Sequence, residues 1–267
     1  MINEEKNITI VTGFYNINRE SWVNSPRSVD HYLQSFANYL TLPYKMVIFM
    51  DDRYPLPSSP GKTVIPINMA WLTSNTASWN KLDRATTITN SGEYRRLIAH
   101  RSTQPQNCQP KYCIINHTKI DFIKYAIDHK LIDPDDFVIW SDFGYHNSIL
   151  HLNPAEFPSR TLDIKRFNVE KLCFFLYDRL QQDDFDPIKT LRYPHVTFTG
   201  SLWGGPQHLL LKLHDVYQQS LDYMHSINIS DFDQHVFVQC FMRSPDMFEL
   251  YVSNRTWPQI LTEFQLR

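Results

Sequence analysis

Two apolar runs separated by one helical stripe fill the first fifty residues, and that order leaves few folds open. Ile8-Thr-Ile-Val-Thr-Gly-Phe-Tyr15 reads as a strand that closes near Gly13. Beyond Ser28, which is placed to cap a helix, Val29, Tyr32, Leu33, Phe36 and Leu40 recur at the spacing of a one-sided helix. Lys45-Met-Val-Ile-Phe-Met50 is a second strand and ends in Asp51-Asp52-Arg53. Strand, helix, strand in this order crosses over to a parallel neighbour, which predicts an α/β fold. A third run, Phe137 to Trp140, is apolar without alternation, as suits a strand buried on both faces of a parallel sheet. The expectation is one α/β domain over residues 1–267, a mostly parallel central sheet flanked by helices.

The rest of the chain adds elements of uneven clarity. Residues 54 to 61 form a proline-rich loop, and Trp71 to Arg101 is mostly helical. Cys113-Ile-Ile115 reads as a short apolar run leading into a helix with Ile120, Ile123, Ile127 and Leu131 on one face. Val169 to Tyr177 and Pro194 to Phe198 read as strands. Pro206 opens a helix whose buried face holds Leu209, Leu210, Leu213, Val216, Tyr217, Leu221 and Met224. A last helix begins near Ser230 or Asp231. Asp231 and Gln234 are spaced as a capping box, which leaves Asp233 without a structural task.

Composition narrows the function classes. Charged residues are 20% of the chain and the net charge is -2, so no basic footprint for nucleic acid is present. No apolar stretch approaches the roughly 18 residues of a membrane span, although peripheral membrane contact stays compatible with the sequence. The N-terminus is polar with no apolar stretch behind it, and the four cysteines form no CxxC pair; both point to a cytoplasmic protein with reduced, structural thiols. Asp142-Phe-Gly144 spells a kinase magnesium motif, but the Gly-rich loop and the other kinase signatures are missing. The histidines are scattered rather than clustered, against a zinc hydrolase.

The candidate site follows from topology. Ligands of open α/β sheets gather beyond the carboxyl ends of the strands. That places Asp142 at the centre, with Thr12, Gly13, Phe14 and Tyr15 at the end of the first strand. Arg19 can grip a diphosphate bidentately or be an ordinary surface arginine. Asp51 can take a ribose hydroxyl or shape a turn. Lys119, with Asn116, lies near a helix start, where the dipole disfavours a cation; it faces either an anionic ligand or solvent. Three of the seven glycines fall between 200 and 205, as where backbone must approach a ligand. Trp203 among them either stacks on a sugar or belongs to the core.

Several segments taken together resemble the HtrL/YibB-type (WlaTC/HtrL) family, which is associated with surface-polysaccharide loci. They are Val11-Thr-Gly-Phe-Tyr-Asn-Ile-Asn-Arg19 with Trp22, Arg27-Ser28 with Tyr32 and Phe36, Asn116-His-Thr-Lys-Ile-Asp-Phe122, and Trp140-Ser-Asp-Phe-Gly-Tyr145. More distantly, the layout is similar to glycosyltransferases of the GT-A fold. Asp142-Phe-Gly144 stands in the place of their strand-terminal acid pair, Gly200 to Gly205 in that of a Gly-Gly segment, and Asp231 to His235 in that of a catalytic helix start. The resemblance implies transfer of a hexose from a nucleotide-sugar, a UDP-sugar first, to a glycan or lipid-linked glycan. Thr12, Gly13, Phe14, Tyr15, Arg19, Asp51, Asn116, Lys119 and Asp142 would bind the donor. Trp203, Gly204, Gly205, Gln234 and His235 would meet the acceptor or sugar. Asp233 would be the catalytic acid or base, with Asp231 second. Mn²⁺ or Mg²⁺ would sit on Asp142 with His146 as helper. Gly144 stands where a second carboxylate is expected. That departure supports the alternative, a non-catalytic sugar- or partner-binding protein on a decayed transferase fold.

Overall fold

The computed structural model describes residues 7–24, 26–101, 104–144, 162–192 and 197–252. Its strands are β1 (Ile8–Phe14), β2 (Lys45–Asp51), β3 (Lys62–Ile67), β4 (Phe137–Ser141), β5 (Leu172–Leu176), β6 (Phe198–Pro206) and β7 (Phe248–Val252). They join one sheet in the order β3-β2-β1-β4-β6-β5-β7. β1, β2, β3 and β4 pair in parallel, as do β5 and β7. β6 alone runs against its neighbours β4 and β5. The expected mostly parallel α/β sheet is therefore present.

Alternation along the strands builds two cores. On β2, Val47 and Phe49 face one side while Met46, Ile48 and Met50 face the other. The helices that cover these faces are α1 (Val29–Tyr39), α2 (Met69–Asn75), α3 (Leu82–Asn90), α4 (Gly92–Leu97), α5 (Pro105–Cys108), α6 (Pro110–Asp128), α7 (Pro187–Arg192), α8 (Gln207–Ser226) and α9 (Asp233–Arg243). Phe36 of α1 packs on the Met46 face with Phe137 and Phe175. Phe122 of α6, Leu213 and Tyr217 of α8 and Phe237 of α9 pack on the Val47 face with Trp140 and Trp203. All four cysteines are free thiols, and three of them are buried. No helix among the described residues is long and apolar enough to cross a membrane.

Three sequence expectations need correction. Lys62–Ile67 is a strand within what reads as a loop-and-helix region; it lies at the sheet edge, where a proline is tolerated and alternation is weak. Cys113-Ile-Ile115 does not precede the helix but is part of α6, which starts at Pro110 because proline suits a first helical turn. Lys119 is thus mid-helix, and the dipole argument for it fails. The glycine-rich stretch from 200 to 205 is no turn: it is the middle of β6, buried at every position. The segment from 193 to 196, read as the start of a strand, lies outside the described residues.

Candidate functional site

A cavity of about 360 Å³ opens at the carboxyl ends of β1 and β4. Because β6 is antiparallel, its entry end lies beside the exit end of β4; the Asp142 N–H donates to the Ser201 carbonyl at 2.9 Å. Gly13, Phe14 and Tyr15 line one wall, Asp142 to Gly144 the centre, and Gly200 with Ser201 the floor. α6 contributes Asn116 and Lys119, and the start of α9 contributes Asp233 and Gln234. Tyr177, one residue beyond β5, completes the rim by the same end-of-strand rule that selects Asp142.

Lys119 is the hub. Its ammonium lies 2.9 Å from Asp142 Oδ1, 2.7 Å from Asp233 Oδ2 and 3.0 Å from the Gly200 carbonyl oxygen. Those three acceptors match the three donors of an ammonium. The side chains of Lys119 and Asp233 are 7% and 3% exposed, whereas Asp142 is 32% exposed and is the member that meets solvent. Trp140 Nε1 donates to Asp142 Oδ1 at 2.7 Å and fixes its rotamer. Burial pulls the Lys119 pKa down, but the Asp142 and Asp233 carboxylates outweigh it and hold the amine protonated well above its ordinary value. For Asp233 burial dominates. It raises the carboxyl pKa, Lys119 opposes the rise and Asp142 adds to it. The two shifts agree physically: one cation is shared by two acids, and the deeper acid keeps a net penalty.

The sequence places these groups by ordinary means. Asp142 is the first residue past a strand buried along its whole length. Asp233 is the first residue of α9, where the helix N-terminus favours a carboxylate. Lys119 is held inside because α6 is buried on several sides, with His117 and Asp121 also enclosed. His117 Nδ1 lies 2.8 Å from the Tyr217 hydroxyl, and burial drops its pKa to about 3, so it stays neutral. Gly200 is required for close approach. A Cβ there would lie 2.5 Å from Asp233 Oδ2.

Arg19 forms a second polar group on the wall. Its guanidinium carbon lies 5.6 Å from the Trp22 ring centre and 5.2 Å from that of Tyr112, and Nη1 donates to the Tyr32 hydroxyl at 3.0 Å. Arg27 lines the same cavity and is exposed.

The structure thus gathers Gly13, Phe14, Tyr15, Arg19, Asn116, Lys119, Asp142, Asp233 and Gln234 around one space. The other expected site residues stand elsewhere. Thr12 is fully buried and is not on the cavity wall. Asp51 is also buried, and its oxygens accept from the Arg53 guanidinium at 2.8 and 2.5 Å and from the Asn16 N–H at 3.0 Å. It braces the loop after β1 rather than offering itself to a ribose. Trp203 is 0% exposed and stacks on Phe174 at 5.3 Å, so it is core and not a sugar platform. Gly204 and Gly205 serve strand packing; a side chain at Gly204 would run into the Val138 carbonyl. Asp231 and His235 are buried together, Nδ1 to Oδ2 at 2.6 Å, off the cavity wall. Asp231 also accepts from the Phe232 N–H, so the expected capping box with Gln234 is replaced by this local brace. Tyr112, Tyr177 and Phe232 line the cavity without having stood out in sequence, since aromatic residues are frequent throughout the chain; Tyr32 and Phe143, which lie in the family segments, line it too.

A divalent ion bridging Asp142 and Asp233 does not fit this arrangement. An ion bridging Asp142 and Asp233 at the roughly 2.0–2.1 Å of magnesium coordination would take the position that the Lys119 ammonium occupies. Among the described residues no group of three His, Cys, Asp or Glu side chains converges, and His146 lies outside them.

Comparison with known proteins adds a family. Protein HtrL of Escherichia coli (strain K12) is 28% identical over 269 residues, covering 93% of this chain and 89% of that protein. The model of the family described as "Bacterial protein of unknown function (HtrL_YibB)" matches residues 6–265, and the chain belongs to that HtrL_YibB family.

Proposed function

We propose that this protein is a glycosyltransferase of GT-A-like design. It moves a hexose from a nucleotide-sugar, a UDP-sugar first, to a glycan or lipid-linked glycan. One observation carries the reading: a buried, charge-coupled Asp142–Lys119–Asp233 group sits at the carboxyl edge of a mostly parallel sheet, in a cavity of about 360 Å³ that also holds Arg19. In this mechanism Asp233 accepts the proton of the acceptor hydroxyl. The acceptor oxygen bonds to the anomeric carbon as the bond from that carbon to the diphosphate oxygen breaks, and the nucleoside diphosphate leaves with the electron pair. Burial raises the Asp233 pKa, which makes it a stronger base than an ordinary carboxylate. Asp142 faces the positive charge that develops at the sugar, and Lys119 keeps both acids apart and oriented.

A second reading has its own support. Asp233 is nearly inaccessible and already bonded to Lys119, as befits a purely structural group, which suits a non-catalytic sugar- or partner-binding protein. One comparison separates the two. UDP- and GDP-sugars are titrated calorimetrically, and nucleoside diphosphate release is followed with glycan acceptors. The transferase reading expects binding plus release, with Asp233→Asn keeping the binding and losing the release. Binding with no release across acceptors supports the second reading, and no binding of any nucleotide-sugar sinks the first.

A further inference from the structure

Resting on that transferase reading, we infer that this chain neutralises the donor's diphosphate with its own cations, Arg19 and Arg27, and that Lys119 holds the place of the bridging metal ion. The cavity wall carries two charged groups of opposite sign. Asp142 and Asp233 share the single Lys119 ammonium, which leaves a formal charge of minus one. A diphosphate is repelled there, whereas a sugar whose anomeric carbon becomes positive is favoured. Two guanidinium groups, Arg19 and Arg27, line the same cavity.

Local geometry suits each group to its task. Lys119 already meets three acceptors, so its ammonium is a fixed internal charge. Asp142 Oδ1 accepts from both Lys119 and the Trp140 indole, which fixes the carboxylate beside the ammonium. Arg19 packs against the Trp22 and Tyr112 rings and donates to the Tyr32 hydroxyl, which restricts where its planar fork can point. Tyr112 ties the two groups together. Its ring touches the Arg19 guanidinium, and it lines the same cavity as Lys119 and Asp142. When the bond from sugar to diphosphate breaks, the electron pair goes to a phosphate oxygen facing the arginines. The acceptor proton goes to Asp233.

The experiment is calorimetric titration of the full chain with UDP, GDP and uridine, in buffer with EDTA and again with excess Mn²⁺. UDP or GDP is expected to bind with affinities that agree within about twofold in the two buffers. Arg19→Gln is expected to weaken nucleoside diphosphate binding at least ~10-fold, equivalent to about 1.4 kcal/mol. Arg19→Lys is expected to recover part of that loss, and uridine binding should not change. Arg27→Gln, at an exposed position, repeats the test if the Arg19 variants do not fold by circular dichroism. Diphosphate binding that appears only with Mn²⁺, or that ignores both arginines, overturns the inference and leaves the transferase reading standing. Failure of both nucleoside diphosphates to bind in either buffer overturns the transferase reading, and this inference with it.

Discussion

Replacing Lys119 with methionine tests the electrostatic core of the site. Methionine keeps most of the stem's volume, so the change removes a charge and little packing. Two carboxylates are left facing each other, one of them 3% exposed. Removing one partner from a buried ion group typically costs about 3–5 kcal/mol, because the remaining charge stays desolvated. In a domain of this size that corresponds to a fall in Tm of roughly 10 °C. The loss should also depend on pH. In the native protein Lys119 has a raised pKa, so its stabilisation is present below the ordinary amine value of 10.5 and fades only as pH climbs through the folded value. Asp233 is raised from 3.8, so its ionisation starts to weigh against folding as pH climbs above 3.8 and does so fully once pH passes its folded value. Without Lys119 that folded value rises further, and the variant escapes part of the penalty by taking up a proton. The deficit should be largest at about pH 8 and narrow by about pH 5. Urea unfolding followed by tryptophan fluorescence measures it at both pH values, and adding Asp233→Asn should restore stability non-additively. A Lys119→Met protein as stable as wild type at about pH 8, with no narrowing toward acid, would refute the account of a shared buried cation.

Two further substitutions separate site from scaffold. Gly200→Ala pushes a methyl group against the Asp233 carboxylate and should cost about 1–3 kcal/mol while abolishing diphosphate release, measured by urea unfolding and by the release assay. Trp203→Ala should cost roughly 3–5 kcal/mol through the cavity it leaves, and nucleotide affinity measured on the folded fraction should not change.

The parallel half of the sheet is legible in the sequence because burial on both faces writes unbroken apolar runs, as in Phe137–Ser141 and Lys45–Asp51. β3 is hidden because an edge strand needs no such run, and Lys62 and Pro66 disguise it. β6 is hidden for a different reason. Glycine ordinarily marks a turn, yet Gly204 lies so near the β4 backbone that no side chain fits. Asp142 and Asp233 can be found from position alone, one ending a strand and the other starting a helix. Lys119 can be named but not explained, since its two anionic partners lie far along the chain. Asp51 and Asp231 show the limit of composition: an acid at the right kind of place can have every oxygen engaged by the scaffold.

Lys119 draws its acceptors from Gly200 and Asp233, residues 81 and 114 positions further on. A growing chain that has reached only β4 carries the amine with a single acid, and nothing yet closes the far side of the cleft. The charged group is therefore complete only when the last part of the polypeptide packs against its beginning.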